Sequence, residues 1–185
     1  MSDSAWRSWP PELAADEALA EAVLATHRAL GEGLGRDEPW LNLNSRLSIE
    51  QRALRRIEDW RVLLLLTPWM LARLLFPDRA PAFPLPAGWT AAERAGAGYQ
   101  VLGPAIRLRL LGQDQRAHLN YHPALGHYLL QPLCLDMEAY DDPEAVFSAW
   151  SEVIRIRDAN MEKARRDCPL QKEISRRELF SRFRI

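Results

Sequence analysis

Leu13, Leu19, Ala20, Val23, Leu24 and Leu30, with His27 among them, fall on one face at three- and four-residue steps. This periodicity predicts a helix over Glu12–Leu30, opened by Pro11 and closed by Gly31, Gly33 and Gly35. From Leu47 to Leu66 the pattern changes. Arg52, Arg55, Arg56, Glu58 and Asp59 precede the compact apolar run Trp60–Leu66, which has the length of a buried strand. Two antiparallel strands joined near Glu58-Asp59 are expected there. Thr67-Pro68 reads as a helix cap followed by a proline at the first helical position, so a short helix is predicted over Pro68–Leu75, ending before Pro77. Pro77, Pro81, Pro84 and Pro86 stiffen the following crossing, in which Phe83 and Leu85 need apolar surroundings. Ile106–Leu110 alternates as a strand does, Gly112–Gln115 reads as a turn, and Gly126–Leu133 as a further strand. Asp142-Pro143-Glu144 opens a last helix, with Val146, Phe147, Trp150, Val153, Ile154 and Met161 at helical spacing. The prediction is an α+β fold: an antiparallel sheet flanked by N-terminal and C-terminal helices in a single compact domain. Residues 1–38 form an N-terminal helical segment, 39–165 the core and 166–185 a basic tail.

Composition narrows the function classes. With 24 basic and 25 acidic residues among 185, the net charge of −1 argues against a binder of nucleic acid or of a membrane surface. The apolar stretch Val62–Phe76 is broken by Pro68 and Arg73 and falls short of the ~20 residues of a bilayer span. Met1–Pro11 lacks the apolar run of a secretory signal, so a cytoplasmic protein is expected. Cys134 and Cys168 are the only cysteines, which excludes a disulfide scaffold and a four-cysteine zinc or iron site.

Four features bear on chemistry. His118, His122 and His127, with Cys134 and Asp136 behind them, are competent metal-ligand types, but the segment Gln113–Pro123 reads as a polar loop with half-buried imidazoles. A small metal-binding protein or metalloenzyme using these histidines is the alternative function. Asp136, Glu138, Asp141 and Asp142 crowd one segment without a nucleophile to serve, and Gly96-Ala97-Gly98 lacks the strand and helix of a phosphate loop. No cofactor, metal or catalytic role is therefore assigned. Seven tryptophans are many for this length; Trp6 and Trp9, in the N-terminus, are candidate interface anchors, with core packing the favoured role for any single tryptophan. Finally, Ser175-Arg176-Arg177-Glu178-Leu179-Phe180 looks like a twin-arginine export consensus at the wrong end of the chain.

Leu66-Thr67-Pro68-Trp69-Met70-Leu71 with Phe76-Pro77, then Leu85-Pro86-Ala87-Gly88, Gly103-Pro104 and Leu125-Gly126-His127-Tyr128 with Leu133, Met137 and Asp141, resemble the HybE/HupJ family of [NiFe]-hydrogenase assembly chaperones. The resemblance covers about residues 40–158, with the basic tail fitting loosely. Gln131–Asp136 departs from the Cys-Ser-Leu-Phe-Ser-Pro often found in relatives, and the cysteines of a fused rubredoxin are absent. The resemblance implies a chaperone without catalysis that binds a hydrogenase small subunit, through its iron–sulfur body or its twin-arginine signal peptide, before export. A separate rubredoxin is a further implied partner. It also implies partner-binding roles for Thr67, Pro68, Trp69, Met70, Tyr128, Arg176, Arg177 and Phe180.

Overall fold

The computed structural model describes residues 6–37 and 42–167. Two compact units divide the chain, Met1–Pro143 and Glu144–Ile185. In the first, a 3₁₀ turn (Pro11–Leu13) and helix α1 (Asp16–Asp37) precede six strands: β1 (Glu50–Ile57), β2 (Trp60–Thr67), β3 (Met70–Pro77), β4 (Ala105–Leu110), β5 (Gln113–His122) and β6 (Gly126–Cys134). A one-turn helix, α2 (Ala91–Arg94), lies between β3 and β4, and α3 (Pro143–Asp167) follows β6. The strands form one sheet in the order β1-β2-β3-β6-β5-β4, with every pair antiparallel. The α+β arrangement expected from the sequence, an antiparallel sheet with helices at both ends of the chain, is what these residues form.

Both sheet faces are covered in the centre. Leu63, Leu65, Ala72, Leu74, Tyr128 and Leu130 on one face pack with Leu19, Val23 and Leu34 of α1. Val62, Leu75, Leu129 and Leu119 on the other pack with Trp6 and Trp89. That is why β2 and β3 read as continuous apolar runs rather than alternating ones. The same burial decides the segment that follows. The segment following Thr67-Pro68 is not a short helix but the central strand β3, paired to β2 in full register from Thr67↔Met70 to Trp60↔Pro77. Leucine-rich sequence is a good helix former, yet here burial of Leu71, Leu74, Leu75 and Phe76 between two strands prevails.

The first helix also differs from its predicted limits. It begins at Asp16, because Pro10 and Pro11 hold a separate 3₁₀ turn closed by Leu13 N–H on the Pro10 carbonyl at 2.9 Å. It runs on through Gly31 and Gly33 to Asp37. Three glycines in a helix cost roughly 1 kcal/mol each, an amount offset here by burial of Leu34. The predicted loop Gln113–Pro123 is likewise strand β5, turned from β4 at Leu111-Gly112 with φ of 51° and 72°, the geometry of a tight hairpin turn. The two strands expected on either side of Glu58-Asp59 do form, as does the helix from Pro143.

Trp6 and Trp9 are not exposed. Trp6 is 7% accessible, tilted over the His127 ring at 5.0 Å and edge-on to Phe83 at 5.7 Å. Trp9 donates its indole N–H to the Pro77 carbonyl at 3.1 Å and lies under the guanidinium of Arg61 at 4.5 Å. Trp6 and Trp9 thus anchor the segment before α1 to the core. No helix of the described residues is long and apolar enough to cross a membrane.

Candidate functional site

The turn between β2 and β3 is built by one hydroxyl. Thr67 Oγ1 accepts the backbone N–H of Met70 at 3.1 Å and of Trp69 at 3.4 Å, and donates to the Met70 carbonyl at 3.1 Å. Threonine therefore caps a hairpin here instead of a helix. The Pro68 carbonyl accepts the N–H of Asn44 at 2.9 Å. Asn44 Nδ2 in turn donates to the carbonyls of Met137 at 2.7 Å and Tyr140 at 2.8 Å, while its Oδ1 accepts the Arg46 N–H at 3.0 Å. One buried asparagine thereby ties the Thr67–Met70 turn to the loop that follows β6. Nothing in the sequence pattern marked Asn44 for this, because its partners are backbone carbonyls 93 and 96 positions away.

The loop it holds is acidic and outward-facing. Asp136, Glu138, Asp141 and Asp142 are exposed, and Leu135 beside them is 52% accessible. Met137 points inward at 2% accessibility and anchors the loop. Arg46 already ion-pairs with the Asp141 carboxylate and donates to the Glu138 carbonyl at 2.9 Å, and Asn42 Nδ2 donates to Glu138 Oε2 at 3.1 Å. The rim is thus chemically able to take a guanidinium through charge-assisted hydrogen bonds, combining carboxylate and backbone oxygens.

Most of the residues singled out in the sequence are buried, the Thr67–Met70 turn next to this loop and Tyr128 at the other end of β6. Thr67, Met70 and Tyr128 are 0% accessible and Trp69 2%, with Pro68 half-buried. Tyr128 stacks on Phe76 at 5.2 Å, and its hydroxyl meets that of Tyr99 at 3.1 Å. Asn120 Nδ2 donates to the Tyr99 hydroxyl at 3.3 Å and to the Val101 carbonyl at 3.1 Å. Burial pushes the Tyr128 phenol well above its ordinary pKa, so the pair is a neutral polar network inside the core. Arg176, Arg177 and Phe180 lie outside the described residues, as does Trp40.

The histidines do not converge. His118 shares a ladder with Leu130 and bonds its Nδ1 to the Gly103 carbonyl at 2.7 Å. His122 Nδ1 accepts the Ala124 N–H at 3.2 Å. His127 uses both ring nitrogens: Nδ1 accepts the Arg7 N–H at 2.8 Å and Nε2 donates to the Trp89 carbonyl at 2.8 Å. Cys134 donates to the Asp136 carbonyl at 3.2 Å. Among the described residues no three His, Cys, Asp or Glu side chains are grouped to hold a metal ion.

Comparison with known proteins gives a family. The family of [NiFe]-hydrogenase assembly chaperones, HybE, matches residues 18–182. The chain belongs to the HybE family. Its match spans all but the first two residues of α1, the whole sheet, the acidic loop and α3, so the Thr67–Met70 turn and the acidic rim both lie within it. HybE from Escherichia coli, solved in solution, is similar at 18% identity over 51% of this chain and 51% of its own, with a TM-score of 0.34. This chain therefore covers about half the length of that relative. No curated protein matches the sequence.

Proposed function

We propose that this HybE-family chain is an assembly and proofreading chaperone that holds the iron–sulfur small subunit of a [NiFe]-hydrogenase in the cytoplasm. It receives the subunit through the twin-arginine signal peptide, before export. The observation that carries this reading is the exposed acidic rim over Asp136, Glu138 and Asp141, fixed to the Thr67–Met70 turn by Asn44 and already holding one guanidinium. A paired-arginine segment offers two more guanidinium groups, and Leu135 beside the acids offers apolar contact for the residues that follow such a pair. Thr67, Pro68, Trp69 and Met70 serve by positioning the rim through Asn44, whereas Tyr128, at the end of β6 away from the loop, packs the core; Arg176, Arg177 and Phe180 remain partner-binding candidates of the tail. The chaperone needs no catalytic group or cofactor, and a separate rubredoxin is a second partner in the same assembly step.

Titration of a fluorescent small-subunit precursor, with and without its signal peptide, tests the reading. Binding that requires the signal and weakens at least about tenfold in the Asp136→Asn, Glu138→Gln, Asp141→Asn triple variant is expected, since charge-assisted hydrogen bonds are lost. Equal binding by precursor and signal-less subunit, or no effect of the triple variant, would overturn signal recognition at the rim.

A further inference from the structure

Strand β4 ends the sheet on one side, and all of its residues from Ala105 to Leu110 pair with β5 in unbroken register. The opposite edge is different. There β1 shifts register between Arg52 and Arg55, with Ala53 at a φ of 57°, and such a bulge hinders the addition of a further strand. Leu110 and Gln113 flank the tight turn Leu111-Gly112, the position of a hydrogen-bonded pair. Leu119 N–H on the Pro104 carbonyl, at 2.9 Å, keeps the same alternation at the far end. Ile106 and Leu108 therefore turn their backbone groups to β5, while Ala105, Arg107 and Arg109 direct theirs away from the sheet.

The side chains alternate with the same period. Leu108 and Leu110 pack in the cluster with Trp6 and Trp89, whereas Arg107 and Arg109 stand exposed on the other face beside Arg116 of β5. Arg107 is directly opposite Arg116, in the closer-spaced kind of antiparallel pair, with Cα atoms about 4.5 Å apart. Like charges in that position weaken a ladder. Among the described residues none of these three arginines forms an ion pair. Arg107 and Arg109 alone suffice to keep a second β4 edge away. Arg116 opposite Arg107 weakens the fold with no internal partner to offset it, which is the mark of a binding position rather than of a structural one.

We propose that β4 is a docking edge for an extended segment of another protein that carries acidic side chains at every second position. Added antiparallel, like every other pair in the sheet, such a segment exchanges backbone hydrogen bonds with Ala105, Arg107 and Arg109. Its residues directly opposite Arg107 and Arg109 lie on the face of those arginines. Carboxylates there meet the guanidinium groups through charge-assisted hydrogen bonds and relieve the repulsion between Arg107 and Arg116. The intervening side chains fall on the face of Ile106 and Leu108, which favours apolar residues between the acids. The second unit of this chain, Glu144–Ile185, is richer in basic than in acidic residues and lacks this complementarity. Docking at β4 is independent of the acidic rim and of the hydrogenase reading.

Fluorescence anisotropy with the full chain tests this, using a labelled peptide Thr-Glu-Val-Glu-Val-Glu-Val-Thr and an isomer in which the glutamates are contiguous. At equal ionic strength the alternating peptide should bind at least about tenfold more tightly than the isomer. N-methylation of its glutamate amides should abolish binding, because those N–H groups face β4, whereas methylation of the valine amides should leave binding intact. The Arg107→Glu, Arg109→Glu variant, with unchanged far-ultraviolet circular dichroism, should lose the peptide and bind the counterpart with lysine in place of glutamate. Separately, Arg116→Gln should raise the urea midpoint of the free chain while weakening peptide binding, since it removes one of two opposed like charges. Equal binding of the two isomers, equal effects of the two methylations, or no binding would overturn the proposal. So would a lower urea midpoint in Arg116→Gln, or tighter binding of a single-stranded oligonucleotide of equal charge.

Discussion

A Cβ placed on Gly31 would lie 3.2 Å from Cζ3 of the Trp69 indole. The helix over the sheet and the turn at the sheet's end meet through a residue without a side chain. This explains why α1 keeps its glycine within a helix, where alanine would otherwise be preferred by about 1 kcal/mol. Trp69 fills the space that a side chain would take, at 2% accessibility.

Replacing Gly31 by leucine should therefore destabilise the fold by about 1–3 kcal/mol, the usual cost of overpacking a closed core. Urea unfolding checks this directly. Gly31→Ala is the informative companion, because its gain in helix propensity opposes a contact only a few tenths of an ångström too tight. A Gly31→Leu protein as stable as the parent would mean that Trp69 moves aside freely.

Gly126 makes the second close approach. Its φ is 72°, and a Cβ there would sit 2.6 Å from the Ser8 carbonyl oxygen and 2.7 Å from that of Arg7. Gly126→Ala should cost about 1–3 kcal/mol from backbone strain and push the segment Trp6–Pro10 off β6. The reporter is the amide of His127, which donates to the Arg7 carbonyl at 2.8 Å. Its hydrogen exchange should quicken more than that of Leu129 or Leu130.

His27 should make stability pH-dependent. Its Nδ1–H donates to the Val23 carbonyl at 2.8 Å, and complete burial pushes its pKa from 6.5 down to about 4. The folded chain holds the ring neutral while the unfolded chain takes up a proton as pH falls below 6.5. Its stabilising share is complete above pH 6.5 and is lost progressively down to about 4. That amounts to of order 3 kcal/mol. Burial lowers His122 and His127 as well, so the comparison must be with His27→Leu rather than with a fixed baseline. Between pH 6.5 and 4 the parent should lose of order 3 kcal/mol more than His27→Leu in urea unfolding.

Arg61 has two carboxylate partners, and they should not act independently. Its side chain is 4% accessible, with Asp78 at 3.4 Å and Asp16 at 3.5 Å, and it donates to the Leu13 carbonyl at 3.1 Å. Asp16→Ala or Asp78→Ala each leaves one anion beside the guanidinium. Removing both strands a buried cation, so the double variant should be less stable than the sum of the singles by at least about 1 kcal/mol. A double-mutant cycle that closes additively would show that Leu13 and Trp9 suffice to hold Arg61.

Several parts of this protein follow from local pattern. The Glu58-Asp59 hairpin, the Ile106–Leu110 strand, the proline-stiffened crossing and the helix after Asp142 each carry their own signal in turn residues, alternation or capping. So does the crowding of acids at 136–142, since charge clustering is visible without any fold. The family too was legible, because its short motifs stand contiguous in the chain.

Other parts were decided only by tertiary packing. Leu71–Phe76 is as good a helix as a strand until β2 and β6 pair with it on both sides. Gly31 and Gly33 read as helix stops until Trp69 needs the gap and Leu34 the burial. Trp6 looks loose until Gly126 lets its backbone neighbours lie against β6. His118, His122 and His127 look like a cluster along the chain, but each is claimed by a different backbone partner. Asn44 could not be found at all, because its hydrogen bonds close between loops that only the sheet brings together. Local preferences amount to tenths of a kcal/mol per residue, and burial between long-range neighbours outweighs them wherever the two conflict.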